Sequence, residues 1–101
     1  MFDREFFLGF VKIHILYHAA KEPVFGVEIT HELARHGYSL SPGTLYPTLH
    51  RMEKEGYLAG SSKVVNGRVR KYYRATAKGK QVLEQSRNSI RELVAEVLEE
   101  K

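Results

Sequence analysis

The sequence predicts one mainly helical α+β domain with the element order α-α-α-β-β-α. Apolar residues recur at helical spacing in four segments, which predicts four helices. Two β-prone stretches flank Asn66-Gly67, a dipeptide typical of a two-residue hairpin turn. Of the 101 residues, 43% are hydrophobic and 28% are charged, which is the composition of an ordinary globular protein. A chain of this length can bury about two thirds of its unfolded surface around one core.

The first two helices are predicted over residues 5–20 and 26–36. Pro23 ends the first helix, because the residue before a proline is disfavoured in the α region. Gly37 follows the second helix at the position just past the C-cap, where glycine is most common. Both helices are therefore bounded by residues that stop a helix.

The third helix is predicted to begin at Pro42 and to end at Gly56. Ser41 precedes it as the N-cap, and Pro42 occupies the first helical position, where its missing N–H is not needed. Pro47 lies inside the helix. The buried stripe is expected at Leu45, Leu49 and Met52, which follow the i, i+4, i+7 spacing.

Residues 57–65 and 68–75 are predicted to form a two-stranded hairpin. Side chains alternate between the faces of a strand, so the second strand places a cationic set on one face, namely Arg68, Arg70, Tyr72 and Arg74. Val69, Lys71 and Tyr73 point to the other face. One of Tyr72 and Tyr73 should therefore pack on the third helix, although the pattern alone does not decide which.

The last helix is predicted to run from Ala77 to Lys101 after a cap at Thr76. Its 25 residues extend about 37 Å, which is longer than the preceding domain can cover. We therefore expect a homodimer in which these helices pair, with the alternative that each folds back on its own first helix. The residues expected at the dimer interface are Phe7, Phe10, Ile90, Leu93, Val94, Val97 and Leu98. Residues 1–76 would form a winged helix-turn-helix DNA-binding domain, for which the evidence follows, and residues 77–101 the C-terminal dimerisation helix, together in one compact unit.

Charge is concentrated in the middle of the chain. Residues 1–34 and 81–101 each carry a net charge of −2, whereas residues 35–80 carry +8. Such a block favours a polyanionic partner, because each phosphate that is neutralised releases condensed counterions. A solvated basic surface is the alternative explanation of the charge alone.

The charge and the element order select the same surface. Two short helices that meet across residues 36–40 form a helix-turn-helix, and a hairpin directly after the second helix is the wing of a winged helix. The basic block covers this second helix and the wing. We therefore expect the chain to bind double-stranded DNA.

Several motifs resemble the PadR family of transcriptional regulators. They are Ser41-Pro42-Gly43-Thr44-Leu45-Tyr46-Pro47, Glu53-Lys54-Glu55-Gly56-Tyr57-Leu58, Gly67-Arg68 and Arg70-Lys71-Tyr72-Tyr73. The resemblance implies a winged-helix repressor that is usually a homodimer and is often released from operator DNA by a small ligand. The single short C-terminal helix resembles the compact branch of the family.

The candidate DNA-binding residues lie on the third helix and on the wing. A recognition helix presents hydroxyls, backbone N–H groups and cations to phosphates and base edges, and a wing presents cations to the backbone or the minor groove. The candidates are Ser41, Pro42, Gly43, Thr44, Tyr46, Thr48 and Arg51 on the helix, and Arg68, Arg70, Lys71 and Arg74 on the wing. Helix capping alone is the favoured role of Ser41. For Tyr46 the alternative to DNA contact is partial burial, and for Arg51 it is a surface position without a ligand. For the wing cations the alternative role is protection of an exposed strand edge.

Other classes of protein find little support in the sequence. No nucleophile accompanies a base, and no phosphate-cradling loop is present, so no enzyme activity is expected. The chain contains no cysteine, which excludes disulfides and thiolate zinc sites. The apolar run from Phe6 to Leu16 is short of the roughly 20 residues of a membrane span, and Met1–Arg4 has no basic cluster of a signal peptide. We therefore expect a cytoplasmic protein.

Three other functions remain open at this point. A winged helix also serves as a protein–protein interaction module, and some winged helices bind RNA. His14 and His18 have the i, i+4 spacing of a metal-ligand pair, although a structural or interface role is favoured because no third ligand follows at a recognised spacing. No cofactor is predicted. Phe7, Phe10 and the terminal helices would line a dimer cleft, which either admits an apolar small-molecule effector or is filled by side chains.

Overall fold

The computed structural model describes residues 2–101, with side chains from Arg4 onward. Met1, where the predicted first domain begins, lies outside the described residues. The elements are α1 (Phe2–Lys21), β1 (Val24–Phe25), α2 (Gly26–Arg35), α3 (Pro42–Lys54), β2 (Leu58–Val65), β3 (Arg68–Ala75) and α4 (Ala77–Leu93). A π-helical segment, Val94–Leu98, follows α4. The predicted helices and hairpin strands are confirmed, with ends shifted by up to three residues apart from the last helix.

The sheet has three strands, so the predicted two-stranded ribbon was incomplete. β1 pairs antiparallel with β3 and gives the strand order β1-β3-β2. Val24 faces Tyr73 and Phe25 faces Tyr72 in this pairing. A strand of two residues is too short to show alternation, so no sequence period could predict it.

The hairpin turn at Asn66-Gly67 is confirmed. Both residues have positive φ, 52° and 76°, as a type I′ turn requires. The turn sets the register of β2 against β3, in which Val65 pairs with Arg68 and Lys63 with Arg70. We call β2, β3 and this turn the wing.

The last helix is shorter than predicted. Its α-helical part ends at Leu93, and the π-helical segment replaces the regular helix that was expected to reach Lys101. Val97 and Leu98 in that segment are 60% and 75% exposed. Side chains this exposed gain little from packing inside the protomer, so tertiary contacts do not hold the segment in regular helical register.

The core lies between the helices and the inner face of the sheet. α1 contributes four buried residues, and α3 contributes the predicted stripe of Leu45, Leu49 and Met52, each at most 3% exposed. Tyr73 is buried and Tyr72 is half-buried, which answers the question left by the alternation pattern. Across residues 2–101, no helix combines the length and apolarity of a membrane span.

Candidate nucleic-acid interface

The start of α3 presents a polar, exposed surface. Ser41, Pro42 and Gly43 are exposed, and Thr44 is half-buried. Ser41 has the extended backbone of an N-cap, but its hydroxyl donates to Oγ1 of Thr44 at 3.3 Å and makes no side-chain cap hydrogen bond. The expected side-chain cap at Ser41 is therefore wrong. Its backbone carbonyl instead accepts the N–H groups of Thr44 and Leu45 at 3.0 and 2.9 Å.

Thr48 does not belong to the exposed face of α3, contrary to the sequence-based expectation. It is only 7% exposed, and its hydroxyl donates to the carbonyl oxygen of Thr44 at 2.8 Å. One helical turn separates the two residues, so the short polar side chain can satisfy its hydrogen bond locally in the partly buried position. Thr48 is thereby removed from the surface that α3 offers to a ligand.

Tyr46 lies against the beginning of α2. Its ring and hydroxyl lie so close to Gly26 that a Cβ on Gly26 would come within 2.7 Å of the hydroxyl oxygen. A side chain at position 26 would therefore have to displace the end of the tyrosine side chain, which is 40% exposed. Tyr46 therefore connects α2 and α3 while part of its ring faces solvent.

The wing carries its cations on two faces with different environments. The outer face, opposite the buried Tyr73, bears Arg68, Arg70, Tyr72 and Arg74, as the alternation predicted. Phe25 of β1 continues this face, with its ring centroid 5.3 Å from that of Tyr72 and 4.7 Å from the Arg70 guanidinium. A guanidinium stacked on an aromatic ring is held in place while its N–H groups remain free to bind.

Lys71 lies on the inner face, where it has a partner. Its ammonium group donates to Oε1 of Glu53 on α3 at 2.8 Å, and this hydrogen bond raises the pKa of Lys71. Burial raises the pKa of the neighbouring Tyr73. The ion pair connects the wing to α3, so Lys71 differs from the three outer arginines with which the sequence grouped it.

Sequence reasoning missed two members of the outer face. Lys63 of β2 lies opposite Arg70, and its ammonium group is 5.4 Å from the centroid of the Tyr72 ring. The hairpin register set by Asn66-Gly67 could have placed it there. Phe25 gave no such signal, because its strand is visible only in the folded sheet.

The predicted dimer residues form an exposed apolar surface in the protomer. Ile90, Leu93, Val97 and Leu98 are 42–75% exposed, and Val94 is half-buried. A groove of about 640 Å³ lies between α1 and α4, lined by Phe6, Phe10, Ile13, Leu83, Ile90 and Leu93. Phe7 instead packs towards the core, with its ring 5.3 Å from Tyr38. Phe6, which the sequence-based set omitted, takes the place on this surface that was expected for Phe7.

The fold is that of known regulators. A model described as the transcriptional regulator PadR-like family matches residues 15–85. The transcriptional regulator Rv3488 of Mycobacterium tuberculosis is 53% identical over 95 residues, which cover 94% of this chain and 89% of that protein.

Two solved structures have folds similar to that of this chain. A PadR-like transcription factor from Bacteroides fragilis superposes with a TM-score of 0.84 at 28% identity, over 98% of this chain and 97% of that one. Bacillus subtilis PadR in complex with operator DNA has a TM-score of 0.67 at 26% identity, over 73% of this chain and 43% of that one.

The helix-turn-helix, the three-stranded sheet with its basic wing and the C-terminal helix together define a winged-helix transcriptional regulator. The chain belongs to the PadR-like family.

Proposed function

We propose that the chain is a homodimeric repressor that binds operator DNA in a sequence-specific manner. The observation that carries the proposal is the cationic surface built by α3 and the wing. Arg51, Arg68 and Arg74 are exposed, and Arg70 is positioned by Phe25. The similar PadR of Bacillus subtilis was crystallised with operator DNA, which supports the same ligand for this surface.

In this proposal α3 enters the major groove with its amino-terminal end towards the bases. Thr44, Tyr46 and Arg51 would contact base edges or phosphates, while Ser41, Pro42 and Gly43 would lie along the backbone. The outer arginines of the wing would contact adjacent phosphates or the minor groove. Two such units, about 34–36 Å apart, match a near-palindromic operator. The proposed role requires no catalysis, and a cytoplasmic location is part of the same proposal, because the DNA it would bind lies there.

The homodimer is supported by the unpartnered apolar surface of α1 and the C-terminal segments. Exposed, contiguous apolar surface on a small domain is typical of an interface. Burial of Phe10, Ile90, Leu93, Val97 and Leu98 against a second copy would remove this surface from water. Two DNA-binding units in one molecule would also increase the effective affinity for a two-part operator.

Release by a small ligand is supported by the apolar groove between α1 and α4. Its volume of about 640 Å³ lies within the range of small-molecule sites, and its surface is mostly apolar, with Glu5, His14 and Arg87 among the lining residues. We propose that an apolar effector binds there, between the two protomers, and changes the spacing of the two α3 helices.

The test is a fluorescence-anisotropy titration with a labelled duplex from upstream of the protein's own gene and a scrambled duplex. We expect the upstream duplex to bind about 10³-fold more tightly at physiological salt, and the affinity to fall as salt rises. Equal binding of both duplexes that disappears with salt would contradict sequence-specific recognition and favour the interaction module. A parallel titration with an RNA duplex tests the RNA-binding alternative, which tighter binding to the RNA would favour.

A further inference from the structure

Three histidines meet where α1 contacts the end of α2. His14 and His18 lie one turn apart on α1, with ring centroids 6.4 Å apart. His36 follows α2 directly as its C-cap, and its ring centroid is 5.1 Å from that of His14. The chain contains five histidines, and three of them therefore gather at one helix junction.

Aromatic rings and one carboxylate surround this cluster. Phe10 lies one turn before His14, with 4.8 Å between the ring centroids, and also packs against Tyr38 at 5.2 Å. Nε2 of His18 is 3.6 Å from Oε2 of Glu32 on α2, and Arg35 shares the same carboxylate at 2.9 Å. The carboxylate is therefore divided between two cations whenever His18 is protonated.

We propose that His14, His18 and His36 form a proton-sensitive cluster that weakens the packing of the helix-turn-helix against α1 as the pH falls below neutrality. Imidazole is the side chain whose charge changes in this range. Protons on more than one of these rings place like charges a few ångströms apart, and the one carboxylate in contact with the cluster is already shared with Arg35.

The surroundings of His14 give the sign of the effect. Burial lowers the pKa of His14, and the neighbouring His36 and His18 lower it further, while Glu32 opposes them. As the pH falls below 6.5, the ordinary value, the unfolded chain takes up this proton before the folded one does. The free energy of unfolding therefore has its full value above that pH and decreases below it, until His14 of the folded protein is protonated as well.

The neighbouring charges do not cancel this effect. The hydrogen bond from Arg35 lowers the pKa of Glu32, so its carboxylate stays ionised and shared throughout the range. The ring of Tyr17 lies 5.0 Å from that of His18, and Tyr38 packs on Phe10 beside the cluster. The other charged or titratable side chains around the cluster are Glu5, Glu22, Glu28, His31, Arg35 and Arg87.

The position of His14 connects two surfaces. Its ring touches the turn before α3 through His36, and it also lines the apolar groove between α1 and α4. A charge on His14 therefore disfavours the packing of α1 against the turn that precedes α3, and it also disfavours the apolar surface of the groove. Acidification should therefore loosen α3, the helix proposed to contact DNA. This consequence rests on the proposed function, whereas the effect on folding does not.

The first experiment measures urea unfolding of the full chain at pH 7.5 and 5.5, with a chelator in every buffer to remove metal ions. Between these pH values, the unfolding constant of the wild type should increase by a larger factor than that of His14→Gln, because the variant lacks the imidazole whose pKa is lowered in the folded chain. His50→Gln is the matched control, because His50 is exposed on α3 outside the cluster. The same increase in all three proteins would overturn the proposal.

A second measurement does not depend on the folding of a variant. An NMR titration of the wild-type imidazoles should give a midpoint for His14 below 6.5, and His36→Gln should move that midpoint upwards. A midpoint at or above 6.5 in the wild type would overturn the proposal.

Anisotropy titrations with the operator duplex at both pH values then test the coupling to DNA. Affinity should fall more in the wild type than in His14→Gln, and an equal fall in both would overturn the coupling. Absence of specific binding at either pH would contradict the proposed function. The unfolding and NMR results would still decide whether the cluster is sensitive to protons.

Discussion

The cations of the wing differ in what they are free to bind. Arg70 stacks on Phe25 with its N–H groups available, whereas Lys71 is already hydrogen-bonded to Glu53. Charge and position in the sequence are similar for the two residues. The difference arises because successive residues of a strand point to opposite faces, and only one of these faces meets α3.

Substitution of these two residues should therefore have different effects on DNA binding. Arg70→Ala should weaken operator binding by about 1–3 kcal/mol without unfolding the protein. Lys71→Ala, the matched variant on the inner face, should have a smaller effect on affinity. Anisotropy titrations at one salt concentration compare them, and a larger loss for Lys71→Ala would mean that the inner face of the wing contacts DNA.

Thr76 is a second residue whose local contacts determine a measurable property. Its hydroxyl accepts the N–H of Gly79 at 3.0 Å and donates to the carbonyl of Gly56 at 2.6 Å. Thr76→Ala should lower the free energy of unfolding by about 1–2 kcal/mol, because it removes the cap of α4 and the bond to the end of α3. Thr76→Ser retains the hydroxyl and should lose much less stability. Equal losses of unfolding free energy in the two variants, measured by urea unfolding, would contradict this role.

At the scale of elements, α4 closely approaches the chain just before β2. Gly79 of α4 packs directly on the backbone carbonyl of Tyr57, so a Cβ at this position would overlap with the carbonyl oxygen. Backbone atoms cannot move aside as a flexible side chain does. The approach of α4 to the winged core therefore depends on glycine at this position.

Gly79→Ala should destabilise the protein by about 1–3 kcal/mol, the usual cost of overpacking. Gly9→Ala provides the matched control on α1, because an added Cβ there meets nothing within 4 Å. The control should keep or slightly increase stability, since alanine is a better helix former. Thermal unfolding of the two variants checks the prediction, and a Gly79→Ala protein as stable as the wild type would show that α4 can shift.

At the scale of the whole molecule, the elongated shape follows from the C-terminal segments. The protomer measures 54 × 28 × 22 Å, and the exposed apolar residues of α4 and the π-helical segment lie beyond what its own core covers. An exposed apolar stripe of this kind gains stability only from a partner. The proposed homodimer and its binding to a two-part operator thus depend on the same surface.

Leu93→Glu should convert the proposed dimer to a monomer. Operator affinity should then fall, because the two DNA-binding units are no longer joined to each other. Leu93 is 54% exposed in the protomer, so the change should leave the fold intact. Sedimentation equilibrium measures the association, and Glu92→Gln on the same helix is a control that should remain dimeric. Persistence of the dimer in Leu93→Glu would place the interface elsewhere.

The sequence by itself determined the order of the four helices and the two hairpin strands, the hairpin turn, and the basic character of α3 and the wing. These features depend on local rules: helical spacing of apolar residues, caps and prolines at helix ends, and the positive φ of Asn66-Gly67. The motif around residues 41–47 also carried the family resemblance, which the match over residues 15–85 confirmed.

Only the tertiary structure decided which side chains are available. It buried Thr48 and Tyr73, paired Lys71 with Glu53, and added β1 to the sheet. It also gathered three histidines, because His36 approaches His14 only when α2 packs on α1. Burial and pairing depend on residues far apart in the chain, and neither leaves a period in the sequence that a local pattern could report.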